Sequence, residues 1–335
     1  MNKLFFKNNE YKEIISEIKK AESILLFTHV NPDGDALGAL ISLKRALQQL
    51  TSKKIYPILM DLVHHDLDFL PNLDDTIQLS DFLGIENFDY SNTLSIAVDA
   101  GDLDRLGEAK NVFLKANKNA QFDHHETNTY FAEINIVDAS ASSSASMIYY
   151  FFKKNNLSID KDTAIAIYTG IATDTGNFAF SNTDYRAFEI MADLMKVGLP
   201  LSDINYILFK RVQVPQQKIL GRALDNLSTF ADGKAAYFFL SKNDFIECDA
   251  YSEHITNFAN QLIDIEGVVI AFFIYEKRNG AIKVSFRSKN GYRVDEIAAI
   301  YGGGGHKYAS GCTMNMSLNK SISELKNTIE NYINK

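Results

Sequence analysis

The sequence predicts an α/β fold, with an N-terminal domain built on a mostly parallel sheet flanked by helices and a smaller C-terminal α/β domain. Short apolar runs bounded by turn residues recur through residues 1–195, and helix-periodic or crossover-length stretches separate them. A length of 335 residues suits about two domains, each with its own core. Hydrophobic residues at 46% and charged residues at 23% are typical of a folded globular chain.

The N-terminal domain begins with a strand, loop and helix pattern. Apolar residues 24–27 lead into the polar turn 29–35, and helix-periodic residues follow from Leu37. Further strands are predicted at residues 54–60 and 93–98 and directly before Asp123. The serine-rich stretch 140–146 precedes a helical pattern, so it is interpreted as a helix start and not as a linker.

Three segments are predicted along the chain. They are a domain over residues 1–195, a helical linker over residues 196–228 and a second domain over residues 229–335. The linker is polar, with Pro215 as a helix breaker. The second domain has predicted strands at residues 235–240, 268–275 and 281–286 and helical patterns from Ser252 and from Val294.

Charge and cysteine content exclude several classes of protein. A net charge of −8 argues against a broad basic face that binds long duplex nucleic acid. Cys248 and Cys312 lie too far apart for a disulfide scaffold or a structural zinc motif. No apolar run reaches the roughly 18 residues that cross a bilayer, and the N-terminal apolar stretch is too short for a secretory signal. We therefore expect no membrane association and a cytoplasmic location.

Polar side chains cluster where the predicted parallel strands end, which is where α/β sheets bind ligands. They comprise His29, Asp33 and Asp35 after the first strand, Asp99 after the strand at 93–98, Asp123, His124 and His125 after the next strand, and Asp174 after a helical pattern. The alternative for the 29–35 loop is an Asx-rich turn that only caps the next helix.

These side chains predict a metal site. Several carboxylates in one crevice repel one another unless cations neutralise them. Imidazole and carboxylate ligands without thiolates suit manganese best, although magnesium, iron, cobalt or zinc are compatible with the same ligand types. Six potential ligands suffice for two ions, and a hydroxide that bridges them is the expected nucleophile.

Six segments of the chain resemble the DHH phosphoesterase family in sequence and in order. They are HVNPDGDALG at 29–38, VDAGDLDRLG at 98–107, DHH at 123–125, GIATDTGNF at 170–178, FRSKN at 286–290 and GGGGHKYASG at 302–311. The last two resemble the DHH-associated C-terminal domain of that family. The ordered set is far more specific than any one of its members.

The resemblance implies a role for each residue of the predicted metal site. One ion would be bound by His29, Asp33 and Asp99, and a second by Asp35, Asp99, His124 and Asp174. Asp99 would bridge the two ions. His125 would lie beside the ions and either support their ligands or contact phosphate, and Asp123 would orient the neighbouring imidazoles. The ions implied are two Mn²⁺ per subunit, with Mg²⁺ or Co²⁺ as substitutes.

The glycine-rich segment of the second domain predicts a phosphate-binding site. Backbone N–H groups at Gly303, Gly304 and Gly305 can approach a phosphate closely because no Cβ intervenes. The charged side chains of His306 and Arg287 can add donors, and Ser288 belongs to the same FRSKN segment. The resemblance implies that this site holds the far end of a short nucleotide and that the active site lies in the interdomain cleft. Arg105 either contacts phosphate or pairs with Asp102 or Asp104.

Within the DHH family, the chain resembles the compact oligoribonuclease (nanoRNase) and pAp phosphatase group. The expected reactions are hydrolysis of very short RNA, about two to five nucleotides long, to mononucleotides and removal of the 3′-phosphate of 3′-phosphoadenosine 5′-phosphate (pAp). Linear signalling dinucleotides such as pApA and pGpG are the alternative substrates. A single-strand exonuclease and a non-catalytic nucleotide sensor are weaker alternatives, as is pyrophosphate hydrolysis, because GGGGH replaces a basic Arg/Lys motif. A homodimer is expected from the resemblance alone. The pair His64 and His65 matches no family segment and is expected to be structural or exposed.

Overall fold

The computed structural model describes residues 8–255, 257–277, 279–289 and 291–334. The chain divides into two compact units, residues 1–211 and residues 212–335. Both units are mixed α/β, which confirms the predicted fold class. None of the helices in these ranges combines the length and the apolar character needed to cross a bilayer.

The described part of unit 1, residues 8–211, contains six strands and eight α-helices. The strands are β1 Ser23–Phe27, β2 Lys54–Leu59, β3 Ile77–Gln78, β4 Thr93–Val98, β5 Lys118–Asp123 and β6 Ile134–Val137. The helices are α1 Asn8–Lys20, α2 Gly34–Leu50, α3 Leu79–Leu83, α4 Lys110–Phe113, α5 Ser144–Lys154, α6 Lys161–Asp174, α7 Tyr185–Lys196 and α8 Leu201–Asn205. Short 3₁₀ segments lie at His65–Leu67, Leu73–Asp75 and Leu103–Ala109, and a π-helical turn at Tyr206–Lys210.

The sheet of unit 1 is parallel throughout, in the order β3-β2-β1-β4-β5-β6. The order reverses between β1 and β4, which are hydrogen-bonded neighbours. Loops that leave two such strands diverge to opposite faces of the sheet, so a crevice opens at their carboxyl ends. The fold therefore provides a ligand site directly beyond Phe27 and Val98.

Helices cover both faces of this sheet. One buried apolar cluster joins α1, α2, α5, α6 and α7 to the sheet, and a second, including Phe27, Phe82 and Phe113, fills the other face. Helices α2 and α6 pack closely through glycine. A Cβ at Gly38 would lie 2.4 Å from the carbonyl oxygen of Ala166, so only glycine allows this approach.

Six strands and five α-helices lie in the described residues of unit 2. The strands are β7 Ser228–Phe230, β8 Ala235–Leu240, β9 Ile270–Glu276, β10 Ile282–Ser288, β11 Gly304–His306 and β12 Ala309–Met314. The helices are α9 Val214–Asp225, α10 Lys242–Glu247, α11 Phe258–Ile263, α12 Val294–Ile300 and α13 Leu318–Ile333, with a 3₁₀ turn at Ser252–His254. The predicted linker, residues 196–228, overlaps α8, the π-helical turn and α9.

The sheet of unit 2 has the order β11-β12-β10-β9-β8-β7. Its strands are antiparallel except for the parallel pair β8 and β9. An apolar cluster with α12 and α13 covers one face, and one with α9, α10 and α11 covers the other. Each face thus has a helical layer of its own, as expected for an independent α/β unit.

Candidate metal centre

Three neighbouring strands of unit 1 bring five of the eight predicted residues of the site to one edge of the sheet. His29 follows β1 by two residues, and Asp99 directly follows β4. Asp123 is the last residue of β5, and His124 and His125 come next. Since β1, β4 and β5 are adjacent and parallel, their carboxyl ends meet at the switch in strand order.

Asp33 and Asp35 reach the same place from the start of α2. Asp33 is the N-cap, and its Oδ1 accepts from the N–H groups of Asp35, at 3.0 Å, and Ala36, at 3.1 Å. The same oxygen lies 3.8 Å from Nε2 of His29. Asp33 therefore caps α2 and approaches His29 with the same oxygen, so the helix cap and the predicted ligand role are compatible.

The carboxylate of Asp99 lies between two groups of candidate ligands. Its Oδ2 is 3.6 Å from Nε2 of His29, and its Oδ1 is 3.6 Å from Nε2 of His124. Nε2 of His124 also lies 3.4 Å from Oδ2 of Asp174 and 3.8 Å from Oδ2 of Asp35. Asp174 is the last residue of α6 and does not follow a strand.

The ligand atoms form compact groups in which every pair is within 4.8 Å. They are His29, Asp33 and Asp99; Asp35, His124 and Asp174; and Asp99, His124 and His125. Asp99 has a left-handed backbone, with φ of 56°. Aspartate tolerates this region better than most residues.

Hydrogen bonds at Nδ1 set the orientation of the three imidazoles. Nδ1 of His29 is 2.8 Å from the carbonyl oxygen of Val30, and Nδ1 of His125 is 2.8 Å from Oδ1 of Asp123. Nδ1 of His124 lies 3.4 Å from the carbonyl oxygen of Ala141. Such contacts leave Nε2 available to a cation or a ligand. Among the described hydrogen bonds, Asp123 contacts the ring of His125 but not that of His124.

Helix α5 contributes contacts that sequence reasoning missed. The N–H groups of Ser144 and Ala145 donate to Oδ2 and Oδ1 of Asp35, at 2.6 and 2.9 Å. The hydroxyl of Ser144 donates to Oδ1 of Asp99 at 3.0 Å. The positive end of α5 therefore faces two buried carboxylates, which it stabilises. The only signal in the sequence is the serine-rich helix start itself.

The carboxylates of the site carry the electrostatic signature of a cation site. Burial, reinforced by Asp99 and Asp174, raises the pKa of Asp35 well above its ordinary value. Burial is also the largest cause that raises the pKa of Asp174 to about 6. Burial would lower the pKa of His29, but the neighbouring carboxylates of Asp33 and Asp99 outweigh it and raise that pKa to about 10.

The donor set fits a divalent cation. Asp35 and Asp99 are 1% and 3% exposed, yet no lysine or arginine pairs with them among the described ion pairs. Buried carboxylates need a compensating positive charge, and imidazole nitrogen with carboxylate oxygen suits divalent metals. The described side chains therefore meet the chemical requirements of a divalent metal site.

The predicted phosphate-binding residues of unit 2 lie on β10, on β11 and on the turn before β11. A Cβ at Gly303 would lie 2.2 Å from the carbonyl oxygen of Gly311, so packing alone requires glycine there. A Cβ at Gly304 would meet nothing within 4 Å, and His306 is exposed. Gly305 has φ of 140°, which also favours glycine.

Two polar side chains of β10 already have partners. Nε of Arg287 donates to Asn260 at 2.6 Å, and its Nη1 donates to the carbonyl oxygen of Phe286. The hydroxyl of Ser288 donates to the carbonyl oxygen of Tyr292. Asn290 of the predicted FRSKN segment lies outside the described residues.

Arg105 is exposed, and the described ion pairs do not join it to Asp102 or Asp104. Asp104 pairs with Lys110 at 2.6 Å, and Asp102 accepts from the backbone N–H of Arg105. His64 and His65 are also exposed, beside Asp66. With Asp66 they form a further group of three residues that could hold a metal ion, in the loop that follows β2.

Comparison with known proteins identifies both domains. The model of the DHH family, N-terminal domain, matches residues 23–171, and the DHHA1 domain model matches residues 232–335. A Thermus thermophilus protein named bifunctional oligoribonuclease and PAP phosphatase NrnA is 30% identical over 309 residues, which cover 91% of this chain and 89% of the relative.

Two solved structures share the fold. The crystal structure of an exopolyphosphatase-related protein from Bacteroides fragilis has a TM-score of 0.87 at 23% identity, covering 99% of this chain and 98% of that chain. A crystal structure of exonuclease RecJ bound to manganese has a TM-score of 0.54 at 13% identity, covering 98% and 95%.

The fold and the cluster of aspartate and histidine side chains define a two-domain α/β hydrolase with DHH and DHHA1 domains. The predictions of this fold and of a phosphoester hydrolase are confirmed. The chain belongs to the DHH family.

Proposed function

We propose that the protein hydrolyses very short RNA, about two to five nucleotides long, to mononucleotides and removes the 3′-phosphate of pAp. One observation carries the proposal. The imidazoles of His29 and His124 both lie 3.6 Å from the carboxylate of Asp99, and the carboxylate of Asp174 lies 3.4 Å from His124. The name of the Thermus thermophilus relative, which spans both domains, supports these two substrates. The net charge of −8 favours short substrates over long backbones.

We propose that two divalent cations, Mn²⁺ by preference, bind at this centre, with Mg²⁺ or Co²⁺ as substitutes. His29, Asp33 and Asp99 would hold one cation, and Asp35, Asp99, His124 and Asp174 the other. Two groups of ligand atoms support this assignment. One contains Asp99, and the other contains His124, which lies 3.6 Å from Asp99. The manganese of the RecJ structure also supports it. When bound, the cations would supply Lewis-acid activation of the phosphate and of the attacking water.

The protein's own residues then position the phosphate. The hydrogen bond that Nδ1 of His125 donates to Asp123 is the largest cause that raises the pKa of His125, which favours the protonated ring and leaves Nε2 as a donor toward phosphate. Asn128 donates to Oδ2 of Asp123 at 2.6 Å and holds that carboxylate in place. We therefore assign phosphate contact to His125 and positioning to Asp123.

Unit 2 would bind the substrate's other phosphate. Backbone N–H groups at Gly303, Gly304 and Gly305, with the exposed side chain of His306, are the proposed donors. Arg287 and Ser288 would support the same phosphate from β10, and Arg105 of unit 1 would contact a phosphate of the substrate. The interdomain active site, the homodimer and the cytoplasmic location stay predictions.

One assay tests the proposal. The purified protein is incubated with Mn²⁺ and, separately, with a 5′-phosphorylated RNA dinucleotide, pAp, pApA, pyrophosphate and an RNA of about 24 nucleotides. Consumption of the RNA dinucleotide and pAp, with the long RNA and pyrophosphate intact, is the expected result. Consumption of pApA alone would favour the signalling-dinucleotide alternative, and binding without turnover would favour a nucleotide sensor.

Two variants accompany this assay. Asp99→Ala should lower turnover at least about 100-fold, because metal stabilisation of a transition state is worth several kcal/mol. Asp81→Ala, which removes an exposed carboxylate of α3, should retain full turnover. Turnover by a folded Asp99→Ala protein at the wild-type rate would contradict the metal assignment, and consumption of the long RNA alone would contradict the assigned substrates.

A further inference from the structure

Unit 2 contains a cavity of about 450 Å³ at the carboxyl ends of β8 and β9. These strands are the parallel pair of the sheet, and Leu240 at the end of β8 lies opposite Tyr275. Beyond them the chain diverges, into α10 after β8 and into the turn to β10 after β9. This is the position at which parallel strands leave a crevice for a ligand. The residues used below are Lys242, Phe245, Tyr251, Tyr275 and Lys277, which all line the cavity.

The inner wall of the cavity is aromatic. Phe245 is buried and Tyr275 half-buried, and their ring centroids are 5.8 Å apart with planes at 50°. Tyr251 adds a third ring that is 46% exposed. Such rings offer flat apolar surface that binds planar heterocycles, and stacking of this kind tolerates any base.

The opening carries two ammonium groups. Lys242 and Lys277 are both exposed, and within the described residues neither forms an ion pair. Among the described lining residues, Glu276 is the one carboxylate, and it accepts from the backbone N–H of Lys242 at 3.2 Å. Two ammonium groups against one carboxylate leave the opening with a net positive charge, which favours an anion such as a phosphate monoester.

From these features we infer that the cavity binds a nucleoside monophosphate, with the base against Phe245, Tyr251 and Tyr275 and the phosphate between Lys242 and Lys277. Aromatic walls and an opening with two lysines together match a ligand that has a planar ring at one end and a phosphate at the other. Neither a neutral apolar molecule nor inorganic phosphate uses both halves of the cavity.

This site is separate from the glycine-rich segment of the same unit. On β10, Arg287 pairs with Ala271, whereas the cavity lies where Ile282 pairs with Glu276. Five residues of strand separate those positions, which corresponds to roughly 17 Å. A nucleotide in the cavity therefore occupies a second site and not the phosphate site proposed above.

Photoaffinity labelling of the full chain locates the ligand directly. The protein is treated with chelator, incubated with 8-azidoadenosine 5′-monophosphate, irradiated, digested and analysed by mass spectrometry. Labelling of Tyr251, Tyr275 or the peptides that contain them is expected. Labelling confined to peptides of the glycine-rich segment or of unit 1 would overturn the inference. Because no divalent cation is present, the result does not depend on hydrolysis and stands or falls separately from the proposed function.

Competition and paired variants define the chemistry. Adenosine and ribose 5-phosphate should each compete at least about tenfold more weakly than AMP, because each fills one half of the site. If the ligand is the end of an RNA, a 5′-phosphorylated dinucleotide competes as well as AMP; if it is the free nucleotide, AMP competes better.

Lys242→Ala/Lys277→Ala should weaken AMP binding about tenfold or more, since two charge-assisted contacts are lost. The control Lys218→Ala/Lys320→Ala removes two exposed lysines of α9 and α13 with the same change in net charge and should bind AMP normally. Equal weakening in both double variants would reduce the effect to net charge and overturn the inference.

Discussion

The backbone N–H of Ser144 donates a 2.6 Å hydrogen bond to Oδ2 of Asp35, which joins the first turn of α5 to the first turn of α2. The second oxygen of the same carboxylate accepts from the next N–H of α5 at 2.9 Å. A helix N-terminus stabilises negative charge, so α5 holds this buried carboxylate in place before any cation binds.

Removal of the Ser144 hydroxyl should weaken metal binding without unfolding the protein. Ser144→Ala deletes the 3.0 Å hydrogen bond to Oδ1 of Asp99 but leaves both backbone contacts to Asp35. Loss of a contact that orients a ligand typically costs about 10–100-fold in metal affinity. Titration with Mn²⁺, followed by electron paramagnetic resonance, measures the change. Ser140→Ala, at an exposed serine that contacts Asp138, is the matched control and should bind Mn²⁺ as the wild type does.

A methyl group at Gly170 should destabilise unit 1. The Cβ of Gly170→Ala would lie 2.4 Å from Cβ of Ala145 and 2.6 Å from Oδ1 of Asp35, so α6 must shift. Overpacking of this kind costs about 1–3 kcal/mol. Gly221→Ala, within α9, meets nothing within 4 Å and should stabilise the protein by about 0.5–1 kcal/mol. Urea unfolding measures the free energy of unfolding of both variants. A change in the same direction for Gly170→Ala and Gly221→Ala would contradict this explanation.

Without divalent cations, Asp174→Asn should stabilise the protein at neutral pH. The folded state raises the pKa of Asp174 to about 6, so the folded protein binds more protons than the unfolded chain at intermediate pH. The free energy of unfolding of the wild type therefore falls as the pH rises from about 4 to about 6. The variant has no carboxyl group to titrate here, so at neutral pH it should be more stable by about 2 kcal/mol or less. Thermal unfolding of the wild type and the variant in chelator, at pH 4 and at pH 7, tests this prediction. If the two proteins differed in stability by the same amount at both pH values, the electrostatic explanation would be wrong. With Mn²⁺ the order should reverse, because the variant lacks a ligand.

Asp193→Asn should destabilise unit 1 at neutral pH by about 1 kcal/mol. Hydrogen bonds from Lys196, Tyr149 and Lys153 hold the pKa of Asp193 below its ordinary range. A lowered carboxyl pKa stabilises the folded state above the ordinary value near 4, and this contribution is lost as the pH falls toward the folded pKa. Urea unfolding at pH 7 and at pH 3 should show the difference narrowing in acid. Asp203→Asn, at an exposed carboxylate of α8, should show no such dependence.

Much of unit 1 could be predicted because its strands are continuous apolar runs that end in polar turns. The run at residues 93–98 matches β4, and the polar residues behind it converge as the parallel topology requires. β3 has only two residues and β6 only four, so neither carries enough periodicity to be predicted. The helix start at residues 140–146 was evident, but its partner Asp35 lies 109 positions away, and no local pattern encodes such a contact.

In unit 2 the positions of β8, β9 and β10 were predictable, whereas their directions and the strands β7, β11 and β12 were not. Residues 235–240 match β8, yet an apolar run is equally compatible with a parallel or an antiparallel neighbour. The packing reason for glycine at Gly303 was likewise hidden, because it depends on the carbonyl oxygen of Gly311 on another strand. A glycine-rich segment alone therefore does not separate ligand contact from backbone packing.

The candidate ligands lie far apart in the sequence, from His29 to Asp174. During synthesis, a nascent chain that has not yet exposed α6 presents His29, Asp33 and Asp99 but lacks Asp174. The second proposed cation, which Asp35, Asp99, His124 and Asp174 would hold, would therefore be captured only after α6 has left the ribosome. Metal loading would then act as a late checkpoint in biosynthesis, and prematurely terminated chains would lack the complete binding site.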